Sequence, residues 1–171
     1  MRKASPRCTW RARTATSRVA KLLSSYGASR AATPFGTPEE VANGEGHADL
    51  AAWLVASRGW APLAHLESLT AARALSLLRS GASLHEGEPT PLRRAAGGEG
   101  EAAALIRRAA APWSPASHSL FPTAVRNRAV EVVRLGYLIA WDEERFDSRE
   151  GAAPELADIW RGFVLPRVVV R

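Results

Sequence analysis

Three proline-entered segments of nearly equal length constrain this chain more than any other feature. Trp60-Ala61-Pro62-Leu63-Ala64-His65, Thr90-Pro91-Leu92-Arg93-Arg94-Ala95 and Trp113-Ser114-Pro115-Ala116-Ser117-His118 each place a proline where a helix can start. A helix-stopping residue follows each proline after 19 residues (Pro62 to Gly81), 21 (Pro91 to Pro112) and 21 (Pro115 to Gly136). Proline presets φ near the helical value and lacks an N–H that the first turn would leave unsatisfied, so it suits the first helical position. Each interval then has room for a short helix, a turn and a second helix running back. A unit that small cannot cover its own apolar face, so neighbouring units must stack.

Between the punctuation the apolar spacing is helical. Leu50, Trp53 and Leu54 precede Gly59, and Ala74, Leu75, Leu77 and Leu78 form a face closed by Gly81. Ala102, Leu105, Ile106 and Ala109 lead to Pro112, while Val125, Ala129, Val132 and Val133 lead to Gly136. Leu156, Ile159, Trp160 and Phe163 form a last stripe, with Pro154 near its start. The expected interior is rich in alanine with few β-branched runs before the end of the chain, which favours helix over sheet.

Residues 1–45 read differently. They are rich in Arg, Ser, Thr, Ala and Gly, and Pro6, Pro34 and Pro38 interrupt any long helix, so a basic, largely disordered arm is expected. Arg2, Lys3, Arg7, Arg11, Arg13, Arg18, Lys21 and Arg30 fall within residues 1–38, with no Asp or Glu. The rest of the chain carries 15 basic and 17 acidic residues, so the formal charge of +6 belongs to the arm. Ser17 to Tyr26 is amphipathic, with Val19, Leu22, Leu23 and Tyr26 at helical spacing and Arg18 and Lys21 to the side. An acid-free, Arg/Ser-rich start suits an organelle transit peptide, nuclear import, phosphate contact or a solvated tail. Contact with nucleic acid is expected only through this arm.

Thr90-Pro91-Leu92-Arg93-Arg94-Ala95 is similar to the T-P-L-H-x-A signature of the ankyrin repeat, with Arg93 in the histidine position. Pro62, Leu63 and His65 match it with the histidine one residue late. Ala74-Leu75-Ser76-Leu77-Leu78-Arg79-Ser80-Gly81-Ala82-Ser83-Leu84 resembles the second helix and G-A ending of that family, and Val130 to Tyr137 resembles the same helix of another repeat. The prolines stand 29 and 24 residues apart, against about 33 for the family. Pro112-Trp113-Ser114-Pro115 leaves no room for the usual β-hairpin finger, and Gly97-Gly98-Glu99-Gly100 reads as a flexible turn.

The resemblance implies an all-α chain: a short solenoid of ankyrin-like helix-turn-helix repeats at 46–140, after the arm at 1–45 and before a C-terminal capping segment at 141–171. It implies a monomeric, intracellular, non-catalytic module, cytoplasmic or nuclear, that binds a protein partner not identified by the sequence. The binding surface implied is Leu84, His85, Glu86 and Glu88, which follow Gly81 where the family's finger projects, together with Arg93 and Arg94. Pro154-Glu155-Leu156-Ala157-Asp158-Ile159-Trp160 resembles the start of an F-box, which implies as an alternative a substrate receptor of a ubiquitin ligase recruited through 154–166. A helix capping the open end of a stack fits the same stripe.

No arrangement of residues points to catalysis, a metal or a cofactor. His47, His65, His85 and His118 show no i, i+4 pair, and Cys8 stands alone, so neither a disulfide nor a cysteine zinc cluster can form within the chain. The G-x-S-x-G elbow and the G-x-x-x-x-G-K phosphate loop are absent. Asp142, Glu143, Glu144, Asp147 and Glu150 lack the spacing of a calcium loop and alternate with Arg145 and Arg149, which reads as a solvated loop. Without an apolar run of about 18 residues, no membrane partner is expected. The ankyrin resemblance implies that His65 and His118 are structural hydrogen-bonding groups at turns. Trp60 and Trp113, each two residues before a proline, read as rings bridging adjacent units.

Overall fold

The computed structural model describes residues 6–140 and 157–170, with side chains from 16 to 139 and from 157 to 170. Trp141, the acidic stretch 142–150, Pro154 and Leu156 lie outside the described residues. Among the described residues the regular structure is helical, as expected, and the isolated bridge between Thr33 and Gly36 is the one β-type pairing. None of these helices is long and apolar enough to cross a membrane.

Helix α1 spans Pro6–Ser25, α2 Pro38–Gly44, α3 Ala48–Ala56, α4 Ala71–Arg79, α5 Pro91–Ala96, α6 Glu101–Ala110 and α7 Thr123–Ala140. Single 3-10 turns stand at Pro62–Ala64 and His118–Leu120. A C-terminal segment passes through a π-helical turn, Trp160–Val164, into the short α8, Leu165–Val168.

Helices α1 and α2 lie within the stretch expected to be a largely disordered arm. Pro38 does not break a helix; it opens α2, and Pro6 is the first described residue of α1. Thr37 caps α2: its Oγ1 accepts from the Glu40 N–H at 3.3 Å, and its own N–H donates to Glu40 Oε2 at 2.8 Å. This reciprocal capping box satisfies two donors that a helix start would otherwise leave open. Glu39, 7% exposed, pairs with Arg58 at 3.0 Å, and a backbone hydrogen bond followed by Arg58 holds its carboxyl below the usual range. Pro38 therefore begins a helical pair, α2 and α3, ahead of the three recognised from sequence. Thr37→Ala is expected to cost about 1 kcal/mol, read as a shift in urea midpoint with unchanged slope.

Of the three units recognised from sequence, only the one entered at Pro91 keeps two full helices, α5 and α6. In the units entered at Pro62 and Pro115 the first helix is reduced to a 3-10 turn. After Pro115 the cause is local. The Ser117 hydroxyl accepts from the Ser114 N–H at 2.9 Å and donates to the Ser114 carbonyl at 3.1 Å, so side chains take backbone partners that a helix would use. Phe121 then precedes Pro122 and is extended, at φ −85° and ψ 155°, as the residue before a proline prefers.

Glycine chemistry explains two further departures. Gly81, at φ +89°, ends α4 as expected, but Gly136 lies inside α7. A Cβ there would stand 2.6 Å from the Trp160 ring, whose Nε1 donates to the Val132 carbonyl at 2.7 Å. Its role is to seat an indole, not to stop a helix. Similarly, the turn at Gly97–Gly100 is fixed in place. A Cβ at Gly98 would meet Leu66 at 2.9 Å, and the Arg107 guanidinium donates to the Ala95 and Gly98 carbonyls.

The main core unites these elements. Leu63, Leu78, Ile106, Phe121, Leu165 and Val169 are each 2% exposed or less. A smaller cluster, Ala42, Leu50 and Leu54 with Ala20, Ala51 and Trp53, lies under α1, α2 and α3. The C-terminal segment thus inserts Leu165 and Val169 into the interior, while Ile159 and Phe163 stay exposed.

Candidate protein-binding surface

The six residues singled out by sequence separate into three environments. Leu84 is 3% exposed and belongs to the main core, so it is unavailable to a partner. It is apolar in a polar loop because the loop runs over the core and must plug it. Arg94 is largely committed within the molecule: its guanidinium bonds Glu67 at 2.6 Å and lies 3.5 Å from the centre of the Trp60 ring, with the side chain 18% exposed. His85, Glu86, Glu88 and Arg93 are exposed. Glu88 and Arg93 pair at 3.3 Å with side chains 80% and 76% exposed, so the loop after α4 and the start of α5 form one charged surface.

The backbone positions this surface. Thr90 caps α5 by accepting from the Arg93 N–H, with Pro91 at the first helical position. The loop is pinned to the preceding unit: the Glu88 N–H donates to the Gly59 carbonyl at 3.2 Å, and Leu92 N–H donates to the Leu84 carbonyl at 3.2 Å. Gly87 sits at φ +87°, and a Cβ on it would stand 2.6 Å from the Gly59 oxygen. Ser83, Leu84 and His85 also edge a groove of about 470 Å³ shared with Trp113, Pro166 and Val169.

Beneath Arg94 lies a constellation that sequence reasoning divided among separate roles. Trp60 meets Trp53 edge-on at a centroid distance of 5.9 Å, and His65 lies 5.3 Å from Trp60 and 5.7 Å from Trp53. Lys21 and Arg30 each stand 5.4 Å from the Trp53 ring. Trp60 therefore bridges units, touching α3 on one side and α5 on the other. His65 departs from the expected hydrogen-bonding role: it is 2% exposed, and its Nδ1 has no hydrogen-bond partner among the described residues. Burial above all, then the Arg30 cation, pushes its imidazole down to about 4, with Glu67 opposing and Arg94 adding to the shift. It is held neutral between two indoles.

The same spacing recurs at Trp113 and His118, whose rings meet edge-on at 5.9 Å. Here the hydrogen bond is made, Trp113 Nε1 donating to His118 Nδ1 at 3.3 Å. The shared W-x-P-x-x-H spacing is the signal by which both pairs could have been found. Among the described residues no three His, Cys, Asp or Glu side chains come together. Comparison of the chain with protein-family models, with curated protein sequences and with solved structures finds no match, so its geometry and chemistry are the basis for any functional reading.

Proposed function

We propose that this chain is a non-catalytic protein-interaction module built from ankyrin-like helix-turn-helix units. The observation that carries the reading is the Glu88–Arg93 pair, held on a pinned loop and the first turn of α5. A pair this exposed contributes about 0–1 kcal/mol to folding, so a partner can take over either charge at little cost to stability. The Thr-Pro entry of α5 and the left-handed Gly81 after α4 support the ankyrin-like comparison. His85 and Glu86 extend the charged surface, whereas Leu84 and Arg94 support it from within.

The test is affinity capture with the full chain and with a variant combining His85→Ala, Glu86→Arg, Glu88→Arg and Arg93→Glu, the last two reversing the pair without removing it. Partners captured by the parent chain are expected to be weakened at least about tenfold, with the thermal midpoint unchanged. Undiminished capture by the variant rejects this surface.

The ubiquitin-ligase alternative has less support. Trp160 and Leu165 are engaged inside the fold, so deletion of 157–171 is expected to unfold the chain, the behaviour of a cap.

A further inference from the structure

Helix α1 packs with its apolar stripe turned outward. The residues it turns toward the body are small or polar: Ser17, Ala20, Lys21 and Ser24 are partly covered and Ser25 is 1% exposed. The Lys21 carbonyl accepts from Ser68 Oγ at 3.2 Å, and Ala20 rests on the cluster of Ala42, Leu50 and Leu54. Val19, Leu22, Leu23 and Tyr26, the helical stripe read from sequence, are 55%, 44%, 54% and 60% exposed. Phe35, 88% exposed, stands in the tight turn closed by Thr33 and Gly36. Leu23 of the stripe lines a groove of about 460 Å³ together with Thr33 and Gly36 of the turn and Val41 of α2, so the helix and the turn adjoin at that residue.

The helix that carries this face is basic in sequence. Five of the 20 residues of α1 are Arg or Lys and none is Asp or Glu, and no acidic residue precedes Glu39. We propose that α1 and the Phe35 turn dock on the surface of an anionic lipid bilayer, with the helix lying in the interface. A basic helix with exposed aliphatic residues gains from both parts of such a surface, the headgroup charge and the acyl boundary. Phe35 adds an exposed aromatic ring, while the Tyr26 ring lies under the Arg73 guanidinium, 4.5 Å from its centre. Nucleic acid would engage the cations but leave Val19, Leu22 and Leu23 unused, since aliphatic side chains do not stack on bases as aromatic ones do. The proposal departs from the expectation of no membrane partner, which rested on the lack of a spanning segment. It uses elements other than the protein-binding surface and stands or falls without it.

The experiment is sedimentation of the full chain with vesicles of phosphatidylcholine alone and with about 30% phosphatidylserine. At low salt the chain is expected to bind the anionic vesicles at least about a hundredfold more tightly than the neutral ones, with steep loss on adding salt. A variant combining Leu22→Gln, Leu23→Gln and Phe35→Ser, all at exposed positions, is expected to keep its thermal midpoint and lose about tenfold on the anionic vesicles. Equal binding to both vesicle types, or anionic binding untouched by the variant, overturns the proposal. So does absence of vesicle binding alongside equal binding of duplex DNA by chain and variant, which identifies nucleic acid as the ligand.

Discussion

Phe121→Ala is expected to destabilise the protein by about 4 kcal/mol, the largest effect of any single truncation considered. Phe121 is 2% exposed and packs within the main core alongside Leu120, also 2% exposed. Its backbone is held extended by Pro122, so the surrounding chain cannot easily collapse into the space the ring leaves, and the cavity penalty adds to the lost transfer energy. For a chain of this length the thermal midpoint should fall by roughly 8–16 °C. Phe35→Ala is the control: at 88% exposure that ring contributes almost nothing to folding, and its removal should fall within about 0.5 kcal/mol of the parent. Comparable midpoints for the two variants would falsify the described core.

Acid should weaken the protein through His65. The imidazole is buried against Trp53 and Trp60 with Arg30 and Arg94 nearby, and its pKa falls from the ordinary 6.5 to about 4. In the unfolded chain the same group takes up a proton near pH 6.5, so between about 6.5 and about 4 the unfolded state binds more protons than the folded state. Stability from this site is complete above 6.5, declines as pH falls to about 4, and changes no further below that. The full difference is about 3 kcal/mol. Urea unfolding of the parent and of His65→Gln at several pH values isolates the contribution, because the other titrating groups are common to both. The gap between the two proteins should shrink or reverse as pH drops from 7.5 to 4.5; a constant gap contradicts the neutral, buried state of His65.

Helices α3, α4 and α6 were legible because their apolar residues recur at helical spacing between Gly or Pro boundaries, and those residues do fill the core. Helix α2 was hidden by its surroundings. The basic, proline-bearing composition of residues 1–45 outweighed a short local signal, Thr37-Pro38-Glu39-Glu40, whose capping box is written in the sequence. Gly136 was read as a helix terminator because nothing local to it reveals that Trp160, 24 residues later, needs its missing Cβ. Leu84 was assigned to the surface because it sits in a loop, whereas Leu69, Trp113 and Leu84 show loop residues sealing the core. The exposed charges at Glu88 and Arg93 were identifiable from position alone. The cage around His65 was not, since Trp53, Trp60 and Arg94 come from three successive units and meet only in the folded chain.

The clasp between Gly59 and Gly87 has a consequence for how freely the chain can diverge. There the distance between two units is set by main chain meeting main chain, with the Glu88 N–H on the Gly59 carbonyl and no side chain between them. Side chains around the clasp can be exchanged without altering that approach, provided Gly87 stays bare, since a Cβ at Gly59 would make only ordinary contacts at 3.6 Å or more. A contact made of main chain asks nothing of the side chains of the two segments it joins beyond that one glycine, so it can persist while their sequences change.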